Sequence, residues 1–314
     1  MRALIRWVVK YGDETVAILL TLTLFVLGWS DVVGTQVVNN VILLVLGVMT
    51  AGNLRDRFAA RTMHQRVVAE LAGAAEIRIL TGSQVTTELR AARHDTEFWH
   101  FRGGTGTYLR AVTLPECVAN ARERRRGIAM RIEIVDPTEP KVCARYAGFR
   151  SSVPNLGPVD DEAWTPERTR KEAYATILAA YWYRQRNDLL HVEVALTTTM
   201  TTFRWDMSSS AVIQTQESAA GQALLFAHGK TYYQYWRMEL ERSFAQARPV
   251  PIGVADAVPL GDEPSVDEVT AVFDVLGVPL PREFGQREVS EIVVKALAPP
   301  NLFAVWEEPR FGGR

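Results

Sequence analysis

The stretch FWHFRGGTGTYLR, residues 98–110, holds the residue types and spacing best suited to chemistry. A strand that ends in a glycine-rich turn before a helix presents unpaired backbone N–H groups at the helix N-terminus, where an anion is favoured. Glycine lets the backbone approach a phosphate closely. Arg102 and Arg110 flank the turn, and each can grip an oxyanion through two parallel hydrogen bonds. The candidate ligand-binding set is Arg102, Gly103, Gly104, Thr105, Gly106, Thr107 and Arg110, joined by Asp206 from a later strand. The spacing is neither a P-loop, since no G-K-[S/T] follows, nor the dinucleotide pattern G-x-G-x-x-G. A tight strand-to-helix turn with left-handed glycines is the structural alternative.

Groups for bond-breaking are scarcer. His64, His94, His100 and His191 have no metal-ligand spacing, so no metal and no cofactor is expected. His100 lies near the glycine turn, where a base would act, although a strand histidine is more commonly structural. His228-x-Lys230 opens a helix, and the position five beyond Lys230 is Tyr235. Glu193 and Asp206 form a carboxylate pair only if their strands align. No catalytic residue is assigned, and activity as an enzyme is not expected.

Residues 197–213, TTTMTTFRWDMSSSAVI, read as strand, serine turn, strand. Here the chain resembles the phospholipase D-like superfamily, in which such a unit carries H-x-K-x(4)-D before a small-residue turn. Asp206 matches the aspartate and Ser208 to Ser210 the turn. Thr199 and Thr201 stand where the family has its histidine and lysine. The helix bearing Tyr232, Tyr235, Trp236 and Phe244 is similar to the aromatic helix that closes that fold. Residues 99–137, ending IVDP, look like a degenerate module of the kind found beside helix-turn-helix or membrane segments in bacterial regulators. The resemblance covers residues 80–297. It implies the fold, and a domain without the residues that carry the family's hydrolysis.

The elements that must position these residues follow from periodicity. Strands are expected at 97–102, 128–135, 189–196, 202–206, 211–215 and 223–227. Helices are expected at 83–93, from the glycine turn to 126, and at 141–150, 165–186, 231–246, 265–276 and 286–297. Thr81 or Ser83 caps the first helix, Thr113–Glu116 reads as a capping box, and Gly127 as a left-handed helix end. Residues 97–135 form strand, helix, strand, and so a parallel pair with a right-handed crossover. Alternating strands and helices define a layered α/β domain.

The first 54 residues differ. Residues 15–30 and 32–54 are uncharged runs of 16 and 23, separated only by Asp31. They read as a transmembrane helical hairpin. Arg2, Arg6 and Lys10 precede it and Arg55, Arg57, Arg61 and Arg66 follow, so the positive-inside rule puts both termini in the cytoplasm of a two-pass inner-membrane protein. The expected fold class is thus α/β: an N-terminal transmembrane hairpin (1–54), a juxtamembrane helical connector (55–95), a cytoplasmic phospholipase D-like domain (96–250), a small helical appendage (251–298) and a flexible tail (299–314).

Composition limits the function. The 314 residues carry a net charge of −1, unlike a general nucleic-acid binder, so no nucleic-acid polymer is expected as a partner. Two cysteines exclude a disulfide-rich scaffold. The expected partners are the lipid bilayer, a small anionic or nucleotide ligand, and further copies through the hairpin. The expected function is a membrane-anchored ligand sensor or effector, similar in architecture to bacterial defence effectors. Alternatives are a membrane-associated phosphodiesterase-type hydrolase of lipids or nucleotides, and a protein scaffold.

Overall fold

The computed structural model describes residues 77–152, 163–216, 222–253 and 258–298, together with Leu46, Gly47 and Thr50. The chain divides into two units, 1–75 and 76–314. Every strand and helix discussed below belongs to the second. It is built on β1 (Arg78–Leu80), β2 (Phe98–Arg102), β3 (Ile128–Val135), β4 (Leu190–Thr197), β5 (Phe203–Ser208), β6 (Ala211–Gln216), β7 (Ala223–Ala227) and β8 (Arg248–Val250). These make one eight-stranded sheet in the order β1-β7-β6-β5-β2-β3-β4-β8. The expected parallel pair is β2 with β3, β4 continues it in parallel on β3, and every other neighbour is antiparallel.

The helices are α1 (Ser83–His94), α2 (Leu114–Arg124), α3 (Pro140–Ser152), α4 (Pro166–Gln185), α5 (Thr231–Gln246), α6 (Val266–Val275) and α7 (Gln286–Leu297). The crossovers from β2 to β3 and from β3 to β4 put α2 and α4 into one core. There Trp99, Phe101, Ile132 and Val194 join buried side chains of α1, α2, α4, α6 and α7 in one large core. α4 is buried along nearly its whole length, from Arg168 to Tyr181. α6 and α7 pack into that same core, Phe273 lying edge-on to Tyr174 at 5.0 Å. The opposite face holds a smaller cluster of Trp205, Met207, Val212 and Phe226 beneath Tyr233 and Leu240 of α5.

The fold class expected above requires a correction. Among the described residues no helix is long and apolar enough to cross a membrane. What the structure supports is a mixed α/β unit around an eight-stranded sheet, without the hairpin as part of the fold class. The runs 15–30 and 32–54 lie outside the described residues except for Leu46, Gly47 and Thr50. So do residues 55–75, 153–162 and 299–314, and with them the expected connector start, topology and tail.

Smaller differences have local causes. Thr165 caps α4, accepting a hydrogen bond from the Arg168 N–H at 3.1 Å. Neither Thr81 nor Ser83 caps α1, whose N-cap is Gly82 at φ 54°. Thr113 is itself helical, because the chain enters α2 through a π-helical turn, Leu109–Thr113. The left-handed end of α2 is Arg125 rather than Gly127. Residues 248–250, where no strand is expected, pair with β4 as an edge strand.

Candidate functional site

The glycine turn leaves β2 at the carboxyl end of the parallel strands, where ligands bind in open α/β sheets. It is close-packed. A Cβ on Gly104 would lie 2.2 Å from the Tyr146 ring. Gly106 has φ 76°, and a Cβ there would come within 2.9 Å of Thr176. The turn's backbone extends the sheet: Gly103 donates to the Glu133 carbonyl at 3.1 Å, and Val135 donates to the Gly104 carbonyl at 3.0 Å.

The helical turn that follows the glycines meets a carboxylate from within the protein. Glu172, on α4, is 3% exposed. Arg110 donates to its carboxylate at 2.5 Å and to its backbone carbonyl at 2.9 Å. Thr107 donates to it at 3.2 Å and Lys295 of α7 at 2.7 Å. Burial alone would raise this carboxyl's pKa, but Arg110 and Lys295 pull it down to about 2. Arg110, Thr107 and the turn therefore form an internal ion cluster. Thr105 is buried, its carbonyl accepting from the Thr176 hydroxyl at 2.7 Å.

The remaining predicted residues fall on opposite faces of the sheet. β2 and β5 are antiparallel, with Phe101 opposite Asp206 and Arg102 opposite Trp205. Alternation sends Asp206 toward α1 and α2, and Arg102 toward α5. Under α5, Arg102 Nε lies 3.3 Å from Glu133 Oε1, which also accepts from Ser243 at 2.7 Å. Glu239 is 3.8 Å from Arg102 on the outer side. Burial and the nearby Glu239 raise the Glu133 pKa against the pull of Ser243 and Arg102. His100 is buried beside them, edge-on to Phe244 at 5.4 Å, and its Nε2 has no hydrogen-bond partner. Burial, with Arg131 and Arg102 close by, brings its pKa down to about 3, so the imidazole is neutral. His100 and Asp206 thus face away from each other, and Glu193 is separated from Asp206 by β3 and β2. Glu193 instead pairs with Arg131 at 2.8 Å. Thr199 and Thr201 lie in the β4–β5 loop, where Thr201 accepts from the Phe203 N–H at 3.2 Å.

On the α1–α2 side, Asp206 meets Arg204, a residue the sequence reading passed over. Arg204 Nε lies 2.5 Å from Asp206 Oδ2, an ion pair without hydrogen-bond alignment. Asp206 Oδ1 accepts from Trp99 Nε1 at 3.3 Å. The Arg204 guanidinium stacks 4.4 Å from the centre of the Tyr108 ring and 5.6 Å from that of Phe101. Its Nη2 is buried without a partner. Behind Tyr108, Arg93 donates to the tyrosine hydroxyl at 3.0 Å and to Glu116 at 2.5 Å. The signal for Arg204 was available: in FRWDMS it stands two residues from Asp206, hence on the same strand face. The signal for Glu172 was Arg110 itself, a charge in an apolar helix turn that needs a buried counter-ion.

No family model matches the chain, and no curated protein matches it. Among solved structures it is similar to TrmBL2, described as an archaeal chromatin protein with a novel mode of DNA binding. That likeness has 9% identity, covers 69% of this chain and 72% of the other, and has a TM-score of 0.34. At that score it carries no argument about function.

Proposed function

We propose that this chain is a binding protein on a catalytically degenerate phospholipase D-like sheet, and that Arg204 receives a small oxyanion such as a phosphate group. The observation that carries this is the state of Arg204. Asp206 holds one edge of the guanidinium, Tyr108 and Phe101 hold its plane, and Nη2 is left without a partner. A carboxylate at Nε orients an arginine so that its terminal nitrogens can meet an oxyanion in two parallel bonds. Binding is favoured over hydrolysis because Thr199 and Thr201 offer neither the nucleophile nor the cation of the resembled motif. The glycine turn contributes indirectly, since it places Tyr108 beneath the arginine.

The test is a thermal-shift titration of the full chain with inorganic phosphate and with adenosine monophosphate, compared with Arg204→Ala. A ligand at a hundredfold its dissociation constant stabilises by about 2.7 kcal/mol. A shift in the wild type that vanishes in the variant supports the site. No shift in the wild type, or an equal shift in both, overturns it.

A further inference from the structure

α5 is the one described helix on its face of the sheet, and it covers that face thinly. Only Tyr233 and Leu240 of its sixteen residues are buried. Tyr232, Tyr235 and Met238, at 42%, 55% and 49% exposure, form an outer stripe. Ile79 on β1 and Phe203 on β5 extend the apolar surface over the same sheet face. Ring contacts of 5.5–6.1 Å run unbroken from Phe203 through Trp205, Trp236, Phe226 and Tyr232 to Tyr235. Past α5, the parallel strands β3 and β4 leave Ala129, Arg131 and His191 exposed. Parallel strands are ordinarily covered on both faces, and a contiguous exposed apolar patch marks an interaction surface.

The charge pattern selects the occupant. Arg131 pairs with Glu193 and Arg237 with Glu241, while Glu239 and Arg242 stand nearby on α5. Positive and negative groups are balanced and interspersed. A nucleic acid or an acidic peptide would meet as much repulsion as attraction. A two-fold interface sets a patch against its own copy, so a mixed-charge, aromatic-centred patch finds its complement in itself. We infer that this face, centred on Tyr232, Tyr235 and Met238, packs against the same face of a second copy of the chain.

Analytical ultracentrifugation of the full chain tests this, comparing wild type with Tyr235→Glu/Met238→Glu and with Val294→Glu as a control at an exposed position of α7. The expected result is a wild-type dimer whose dissociation constant rises more than about tenfold in the double variant, and by less than about twofold in the control. Unfolding curves establish that each variant is folded. Should the double variant fail to fold, Tyr235→Ser/Met238→Ser gives the same comparison. A wild type that stays monomeric up to about 100 μM, a concentration at which even a weak specific dimer forms, overturns the inference. So does a dimer that the α5 substitutions leave unchanged.

Discussion

Thr107 and Glu172, 65 residues apart in the chain, meet at the first turn of the helix that follows β2. The glutamate is held there also by Arg110 and Lys295. One carboxylate thereby joins the glycine turn, α4 and α7.

Removing that carboxylate leaves two cations without their counter-ion, one of them fully buried. Breaking a buried pair costs about 3–5 kcal/mol. Glu172→Gln should lower unfolding stability by that order in urea denaturation, with Lys295→Met costing less because Lys295 is partly exposed. A loss below about 1 kcal/mol for Glu172→Gln would show the cluster to be dispensable.

Acid should destabilise the protein in two stages. An unfolded chain protonates His100 near 6.5, whereas the folded one resists until about 3. Stability therefore falls as pH drops through that window. Each proton taken up only by the unfolded state adds a slope of about 1.4 kcal/mol per pH unit. Glu172 adds a second such slope between 4.5 and about 2, since its stabilisation is complete above the unfolded value and lost below the folded one. Glu133, with its pKa raised, acts in the opposite sense, favouring the folded state as it protonates. His100→Phe should flatten the decline above pH 4.5, measured as midpoint denaturant concentration against pH. An unchanged profile would remove His100 from the account.

Gly104→Ala should destabilise through packing, because the new methyl would overlap the Tyr146 ring. Overpacking typically costs about 1–3 kcal/mol. Tyr146→Phe/Gly104→Ala should keep most of the overlap, since two ring carbons lie as close as the hydroxyl, whereas adding Gly104→Ala to Tyr146→Ala should cost less than adding it to the wild type. Full stability in Gly104→Ala would mean that the turn has room the geometry denies.

Asp206→Asn retains an acceptor for Trp99 but removes the charge beside Arg204. It should destabilise by about 1–3 kcal/mol, the range for a buried polar group losing its partner. Urea denaturation, followed by the summed emission of the chain's eight tryptophans, measures the loss. Asp206→Leu should cost more, since it also abandons the indole N–H.

The layered architecture was legible because its signals are local. Alternation in FWHFR and IAMRIEIV, and Thr165-Pro166 before an apolar run, each act within a few residues. β3 and α7 occupy the predicted spans, and the β2–β3 crossover gives the parallel pair expected. The short edge strands were not legible: β1 and β8 are three residues each, and their assignment comes from partners more than fifty residues away. Charged side chains were the harder problem. Arg110 and Asp206 were singled out for their type, yet their surroundings depend on α4 and on strand register. Arg102 and Asp206 were grouped, and a one-residue difference in parity places them on opposite faces.

The same edge strands decide how the sheet can grow. β1 and β8 expose only three residues apiece, and Pro249 in β8 lacks the N–H that an added strand would need. Neither margin is a template for recruiting another chain by backbone pairing. End-to-end fibre formation is thus disfavoured by construction, and the native protein should withstand high concentration without seeding cross-β deposits. Self-association is left to faces rather than margins, and a face that meets its own copy about a two-fold axis closes at two copies instead of propagating.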